Sequence, residues 1–318
     1  MNSYSGGRSI VVDKLVLVAK IARVSQWIKN IVLFAPIVFS GLLLVPGYFL
    51  RVCWAAGLFC ILSSAIYIFN DLIDAPRDRM HPFKKERPIA SGRLSVPIAL
   101  FLFIMLTGLS LWLGAMTSTF FFVAQCGYFA LNLMYSLSWK SIPIVDVFVI
   151  AAGFVLRVYA GSFVINAHMD VWFLLTVVSA SLFLAVGKRR SEMTLMIGQK
   201  GVSRTSLIHY TPALLDAYTS MFANTTWLTY ALFTFLHPPF QADGKVLKLL
   251  ELLPRTLVAE KWLMATIPVV IFGIMRYMQL IYEKNEGESP HKVLMSDKSL
   301  LITVLVWGLM VLVMIYGV

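Results

Sequence analysis

The chain is short of charge, and shortest of acid. Asp and Glu number 16 against 27 Lys and Arg, and all charged residues together reach 14% of the 318, where soluble domains carry about 25%. With 59% hydrophobic residues, the solvent for this fold is lipid, and no stretch is polar enough to form a separate soluble domain. Cysteine is scarce as well. Cys53, Cys60 and Cys126 all fall in apolar runs and lack the paired spacing of a zinc site or disulfide framework, so packing is their expected role. The five histidines, at 81, 168, 209, 237 and 291, are dispersed and make no ligand set. No cleavable leader is expected, because Lys14, Lys20 and Arg23 break the apolar stretch after Asp13. Residues 1–30 read instead as an amphipathic segment on the cytoplasmic face of the membrane.

What is present in quantity is apolar sequence. A spanning helix needs about 20 mostly apolar residues, and about nine such windows occur, at 31–50, 52–70, 95–115, 117–138, 142–166, 171–187, 212–236, 262–282 and 299–317. Pro46, Gly47 and Arg51 mark a tight external hairpin between the first two. The fold class is therefore all-α: a polytopic bundle of about nine transmembrane helices, with residues 31–318 as one catalytic domain. Twenty of the 27 Lys and Arg lie in alternate joins, five in the opposite joins and two, Arg157 and Arg276, within spans. That asymmetry places the N-terminus in the cytoplasm and the C-terminus outside. It also accounts for the net charge of +11 as a topology signal, so no nucleic-acid partner is expected. Residues 240–261 form the one sizeable external join, with room for a short surface helix.

Directly after the second span comes Asn70-Asp71-Leu72-Ile73-Asp74-Ala75-Pro76-Arg77-Asp78. Carboxylates beside a hydrocarbon run are costly unless something compensates them. At 3.6 residues per turn Asn70, Asp74 and Asp78 share one stripe with Asp71 beside it, and Pro76 threatens to kink or end the helix before Asp78. Such a face suits Mg2+, which takes one or two carboxylates, keeps waters and bridges to phosphate oxygens. The bland alternative is an acidic helix end paired with Arg77 and Arg79. The next loop carries Lys84, Lys85, Arg87 and Arg93. Cations clustered beside a metal-binding carboxylate stripe are what a diphosphate needs from its surroundings.

Other polar groups gather at the same ends of other spans. Gln26-Trp27-Ile28-Lys29-Asn30 leads into the first, Tyr135 to Lys140 closes the fourth, and Gly187-Lys188-Arg189-Arg190-Ser191-Glu192 opens a cytoplasmic join. Asp146 and Arg157 within the fifth span, and Arg276 with Tyr277 in the eighth, face the bundle interior by default, either lining a site or locking helices together. For Arg276, snorkelling to the interface is the alternative.

The Asn-Asp-x-x-Asp-x-x-x-Asp motif at the end of the second span, the following Arg-Pro-Ile-Ala-Ser-Gly loop and about nine spans together resemble the UbiA superfamily of intramembrane prenyltransferases. The resemblance implies that Asn70, Asp71, Asp74 and Asp78 bind magnesium and a diphosphate. Most members carry a second acidic motif after the sixth span, where this chain has Gly-Lys-Arg-Arg-Ser-Glu. With Gln-Trp-x-Lys-Asn, Lys140, and Leu156-Arg157 followed by Ala160-Gly161, that departure resembles the decaprenyl-phosphate phosphoribosyltransferase branch. It implies 5-phosphoribose 1-diphosphate as donor, a polyprenyl phosphate as acceptor, and a role in supplying lipid-linked ribofuranose or arabinofuranose for cell-envelope glycans at a bacterial inner membrane.

The expected site comprises Asp71 and Asp74 as the catalytic, magnesium-holding carboxylates, with Asn70 and Asp78 completing the metal set. Lys29, Lys84, Arg87, Tyr135, Lys140, Arg157, Lys188, Arg189, Glu192 and Arg276 are expected toward the substrates. Besides the two substrates and membrane lipids, a homo-oligomeric partner stays open. The alternatives are a prenyl-diphosphate-dependent aromatic prenyltransferase of the same superfamily and, from another class, a transporter of anionic lipid or phosphate, since charged residues within spans also mark transport paths.

Overall fold

The computed structural model describes residues 17–80, 84–196, 207, 209–237, 261–283 and 290–317. Among the described residues every regular element is helical, as backbone in hydrocarbon must be when it cannot close a barrel. A 3-10 helix, Val24–Phe34, runs into α1, Ala35–Phe39; α2 is Tyr48–Asp78, α3 Val96–Thr117, α4 Thr119–Leu137, α5 Val145–Ile165, α6 Val171–Met196 and α7 Pro212–Leu236. Short 3-10 turns fall at Lys84–Glu86 and Trp139–Ser141, and a further 3-10 helix, Trp262–Thr266, continues as α8, Ile267–Glu283, followed by α9, Pro290–Ser296, and α10, Lys298–Tyr316.

Seven of the described helices are long and apolar enough to cross a membrane: α2 to α6, Trp262–Glu283 and α10. Helix α7 is 25 residues long but carries Thr219, Asn224, Thr225, Thr226 and Thr229; the hydroxyls of four of them bond back to carbonyls of the preceding turn. The first apolar window differs most from expectation. Its helical part is the 16-residue run Val24–Phe39. The turn to α2 follows at 40–47, where Gly47 adopts φ 85°, and Arg51 lies within the first turn of α2 rather than in the hairpin. Pro76 does not end α2, which continues to Asp78. This close to the C-terminal end, its missing N–H removes one bond from a turn that is otherwise intact. The 240–261 join falls outside the described residues except for Lys261.

The long helices form a ring in sequence order, α2 to α8 each packing on the next and α8 on α10, with α6 and α7 in the most extensive contact and α2 also touching α4 and α5. Tyr316 at the end of α10 closes it. Its hydroxyl lies 2.8 Å from the Val38 carbonyl and 3.0 Å from that of Ile37, and accepts from the Leu43 N–H at 3.1 Å. One close approach sets the seat of the entry helix. A Cβ added to Gly161 in α5 would stand 2.1 Å from the Leu33 carbonyl oxygen, so only glycine lets these two backbones meet. Phe101, Ile104 and Trp112 of α3 project outward, which is the lipid-facing side of such a ring.

Candidate active site

The ring encloses a cavity of about 1500 Å³. At one end it is walled by the C-terminal turns of α2, α4 and α6 and by the entry helix; toward the middle its wall becomes Phe39, Val158, Phe173, Val270 and Trp307. Asn70, Asp74 and Asp78 line the charged end, with Arg23, Lys29, Lys84, Arg87, Tyr135, Lys140, Arg157, Lys188 and Glu192. Nine of the ten residues expected toward the substrates were drawn from loops or helix ends far apart in sequence or from α5 and α6; eight of them line this one space.

Each carboxylate of the α2 stripe holds a cation from a different segment. Asp71 accepts from Arg23, and from Arg87 at 3.1 Å; Asp78 accepts from Arg87 at 2.6 Å; Asp74 accepts from Lys140 at 2.5 Å and from the Asn70 amide at 3.1 Å. The alternative pairing with Arg77 and Arg79 is not among these bonds. Among the described residues no three His, Cys, Asp or Glu side chains converge as a ready-made metal cage. The donor set still fits magnesium: these are hard oxygen ligands, and that ion is held by one or two carboxylates while waters and phosphate oxygens fill its other positions. The Lys and Arg groups occupy the carboxylates where the ion would bind.

Arg157 sits deeper and is buried. Its Nε donates to Asn30 Oδ1 at 2.8 Å, its Nη2 to the Tyr128 hydroxyl at 2.6 Å and its Nη1 to the Gly153 carbonyl at 2.9 Å; it also lies 4.5 Å from the Tyr128 ring centroid. The Gln26-Trp27-x-Lys29-Asn30 motif thereby acquires a local reason. Trp27 donates to Ser64, Lys29 reaches the Tyr67 hydroxyl at 3.4 Å, and Asn30 donates to Ser63, so the three side chains grip α2 over the single turn from Ser63 to Tyr67.

Two expected substrate residues do not reach the cavity. Arg189 is 0% exposed. Its Nε donates to Asp146 at 2.5 Å, its Nη1 to Glu192 and its Nη2 to the Tyr135 hydroxyl at 3.2 Å. On a helix successive residues turn by about 100°, so Lys188 and Glu192, four apart, share the cavity face while Arg189 points between helices. Arg276 is turned away too, paired with Asp297 at 2.6 Å, while its neighbour Tyr277 lines the wall. Arg23 is the site residue that sequence reasoning missed, because a lone Arg in a polar leader segment looks like a membrane anchor. Its only signal is its place three residues before Gln26.

Outside the spans, Tyr210 donates to Asp146 at 3.1 Å and accepts from the Ile144 N–H at 2.6 Å. Burial, and behind it the Asp146 carboxylate, push its phenol up to about 12, against the opposing pull of the Ile144 N–H. Ile144 caps α5 at φ 67°, a conformation unfavourable for a β-branched residue and held by that bond.

A ring of spanning helices around a cavity that is acidic and basic at one end and apolar in the middle is the architecture of an intramembrane enzyme for charged-headed lipids. Residues 33–296 match the UbiA prenyltransferase family, and the chain belongs to that family. The decaprenyl-phosphate phosphoribosyltransferase of Corynebacterium glutamicum is 32% identical over 301 residues, covering 93% of this chain and 86% of that protein. The enzyme of the same name from Mycolicibacterium smegmatis is 30% identical, covering 91% and 89%. A UbiA homolog from Archaeoglobus fulgidus, solved bound to GPP and Mg2+, superposes with a TM-score of 0.66 at 19% identity, covering 93% of this chain and 99% of that one; at that identity the likeness speaks for the fold.

Proposed function

We propose that this protein transfers 5-phosphoribose from 5-phosphoribose 1-diphosphate to a polyprenyl phosphate, releasing diphosphate, at the cytoplasmic face of a bacterial inner membrane. The observation that carries the reading is the balance of charge in the cavity. Asp74 and Asp78 of α2 and the lone Glu192 of α6 are the lining carboxylates, and against them are Arg23, Lys29, Lys84, Arg87, Lys140, Arg157 and Lys188, with no second acidic cluster on α6. A donor carrying a 5-phosphate and a diphosphate, meeting an acceptor that is itself a phosphate, calls for such an excess of cations. The names of the bacterial relatives point the same way.

In this reading Asp71 and Asp74, with Asn70 and Asp78, would hold magnesium, which supplies Lewis acidity and a template for the leaving diphosphate. The chain's own side chains bind and orient the rest. Arg87, Lys84 and Lys140 face the diphosphate; Lys188, Lys29 and Arg157 remain for the other phosphates. The C1–O bond breaks with its electron pair leaving on diphosphate, through a transition state of oxocarbenium character, and an oxygen of the lipid phosphate bonds to C1. That oxygen is already anionic, so no strong general base is required. The polyprenyl tail lies along Phe39, Phe173, Val270 and Trp307, where water is excluded.

Membranes containing the protein, incubated with magnesium, a polyprenyl phosphate and 5-phosphoribose 1-diphosphate labelled in the ribose, should carry label into the lipid fraction. Absence of label there, with diphosphate released instead from a prenyl diphosphate and an aromatic acid, would assign the chain to the prenyl-transferring reading that its family also allows.

A further inference from the structure

The guanidinium of Arg23 lies against Asp71, 4.9 Å above the Tyr67 ring, and lines the cavity. Its position is set by the chain on both sides. Arg23 adopts φ 48°, ψ 49° as the residue before the entry 3-10 helix; the Ala22 carbonyl accepts from Ser64 at 2.8 Å, and Trp27 donates to the same hydroxyl at 3.0 Å. The backbone is thus clamped to α2 about two turns before Asp71, which carries the side chain to that carboxylate.

Asp71 also accepts from Arg87 on the same oxygen. The stripe and its partners form one cluster of three carboxylates, Asp71, Asp74 and Asp78, and three cations, Arg23, Arg87 and Lys140. As a neutral set it opposes a single charged ligand of either sign. A divalent cation entering alone meets three cations already on its ligands, and an anion entering alone meets three carboxylates. Entering together, the metal takes the carboxylates and the anion takes the displaced cations, so each ligand raises the affinity of the other. A planar guanidinium suits the anion's part in that exchange because it grips phosphate with two parallel bonds.

We propose that Arg23 is a further diphosphate-binding residue, held on Asp71 until a divalent cation takes that carboxylate. The proposal rests on the diphosphate site of the function above, yet not on which diphosphate ester is the donor. A purely structural Arg23, tying the leader segment to α2, predicts none of the exchange.

The test uses the full chain in detergent, with Mn2+ as a spin-visible stand-in for magnesium and inorganic diphosphate as the anion, so it reads binding rather than turnover. Without diphosphate, Arg23→Met should bind Mn2+ about 3- to 10-fold more tightly than wild type, as a competitor for Asp71 is gone. At saturating Mn2+ it should bind diphosphate about 10-fold more weakly. Arg51→Gln, which removes an equal charge from an exposed residue beside Tyr48 at the far end of α2, should leave both affinities within about twofold. Arg23→Lys keeps the charge and loses the fork, so its Mn2+ affinity should stay near wild type while diphosphate weakens several-fold; it decides the matter if Arg23→Met does not accumulate. Unchanged or weaker Mn2+ binding in Arg23→Met, or unchanged diphosphate binding in either variant, would overturn the proposal. Failure of ribose transfer alongside these shifts would instead fault the choice of donor.

Discussion

Arg189 and Asp146, both 0% exposed, are joined Nε to Oδ2 at 2.5 Å across the α6–α5 contact. The same guanidinium holds Glu192 and Tyr135, so one buried cation ties α4, α5 and α6 together where the cavity is charged. Replacing Asp146 by Ala removes the fully buried one of that cation's two counter-ions and leaves Glu192 alone; breaking a buried pair from one side costs up to about 3–5 kcal/mol. Thermal unfolding in detergent should show Asp146→Ala well below wild type. An unchanged midpoint would mean that water reaches Arg189 and that the pair is not structural.

Gly161 provides a second test of the packing. Ala at this position meets backbone, the Leu33 carbonyl, at 2.1 Å, and backbone cannot swing aside as a side chain can. Overpacking of this kind costs about 1–3 kcal/mol. Gly57→Ala adds the same methyl group to a helix where nothing lies within 4 Å, and it should be neutral or slightly stabilising. Comparing the two midpoints cancels the intrinsic helix preference; equal effects would contradict the seating of the entry helix on α5.

Tyr210 gives a pH prediction. Its phenol titrates at about 12 in the folded protein, raised by burial first, against about 10 in an unfolded chain. A group whose folded pKa is raised contributes stability that is present below the unfolded value and lost as pH climbs through the folded one. The stability difference between wild type and Tyr210→Phe should therefore shrink between about pH 10 and 12, and stay constant from pH 6 to 9. A difference that instead changes near neutrality would point to another titrating group.

The stripe carries the proposed chemistry. Asp74→Ala should lower turnover by about 100-fold or more, since a metal's charge stabilisation is worth several kcal/mol and each 1.36 kcal/mol is tenfold. The variant should still insert and fold, because Lys140, though buried, lies at the cavity rim beside Asp74. Chelation should abolish turnover of wild type, and magnesium should restore it. Full activity in Asp74→Ala would remove the carboxylate from the mechanism.

Much of this arrangement was legible in the sequence because lipid makes charge conspicuous. Carboxylates at the end of an apolar run have few explanations, and the spacing of Asn70, Asp74 and Asp78 identified their common face before any contact was known. The basic run at 188–190 was legible as charge but not as direction. Only the 100° step between neighbours sends Lys188 to the cavity and buries Arg189 against Asp146, 43 residues away. For Arg276 the deciding partner, Asp297, is the N-cap of α10, 21 residues on, and no local pattern announces it. The first apolar window misled for a related reason: hydropathy counts apolar residues and cannot show that Val24–Phe39 is partly a tighter 3-10 helix, held by Trp27 and Asn30 bonding to α2. Arg23 is the clearest case, a residue whose role rests on the left-handed backbone at that one position.

The central claim is that the stripe binds the diphosphate of a phosphoribosyl donor and that the lipid is the acceptor. The most direct measurement supplies the purified protein in lipid nanodiscs with magnesium, polyprenyl phosphate, 5-phosphoribose 1-diphosphate and a prenyl diphosphate with an aromatic acid, and identifies the products by mass spectrometry. The account predicts a polyprenyl-phosphoryl-5-phosphoribose product that vanishes in Asp74→Ala, and no prenylated aromatic acid. A prenylated aromatic product with no pentosyl lipid would contradict it.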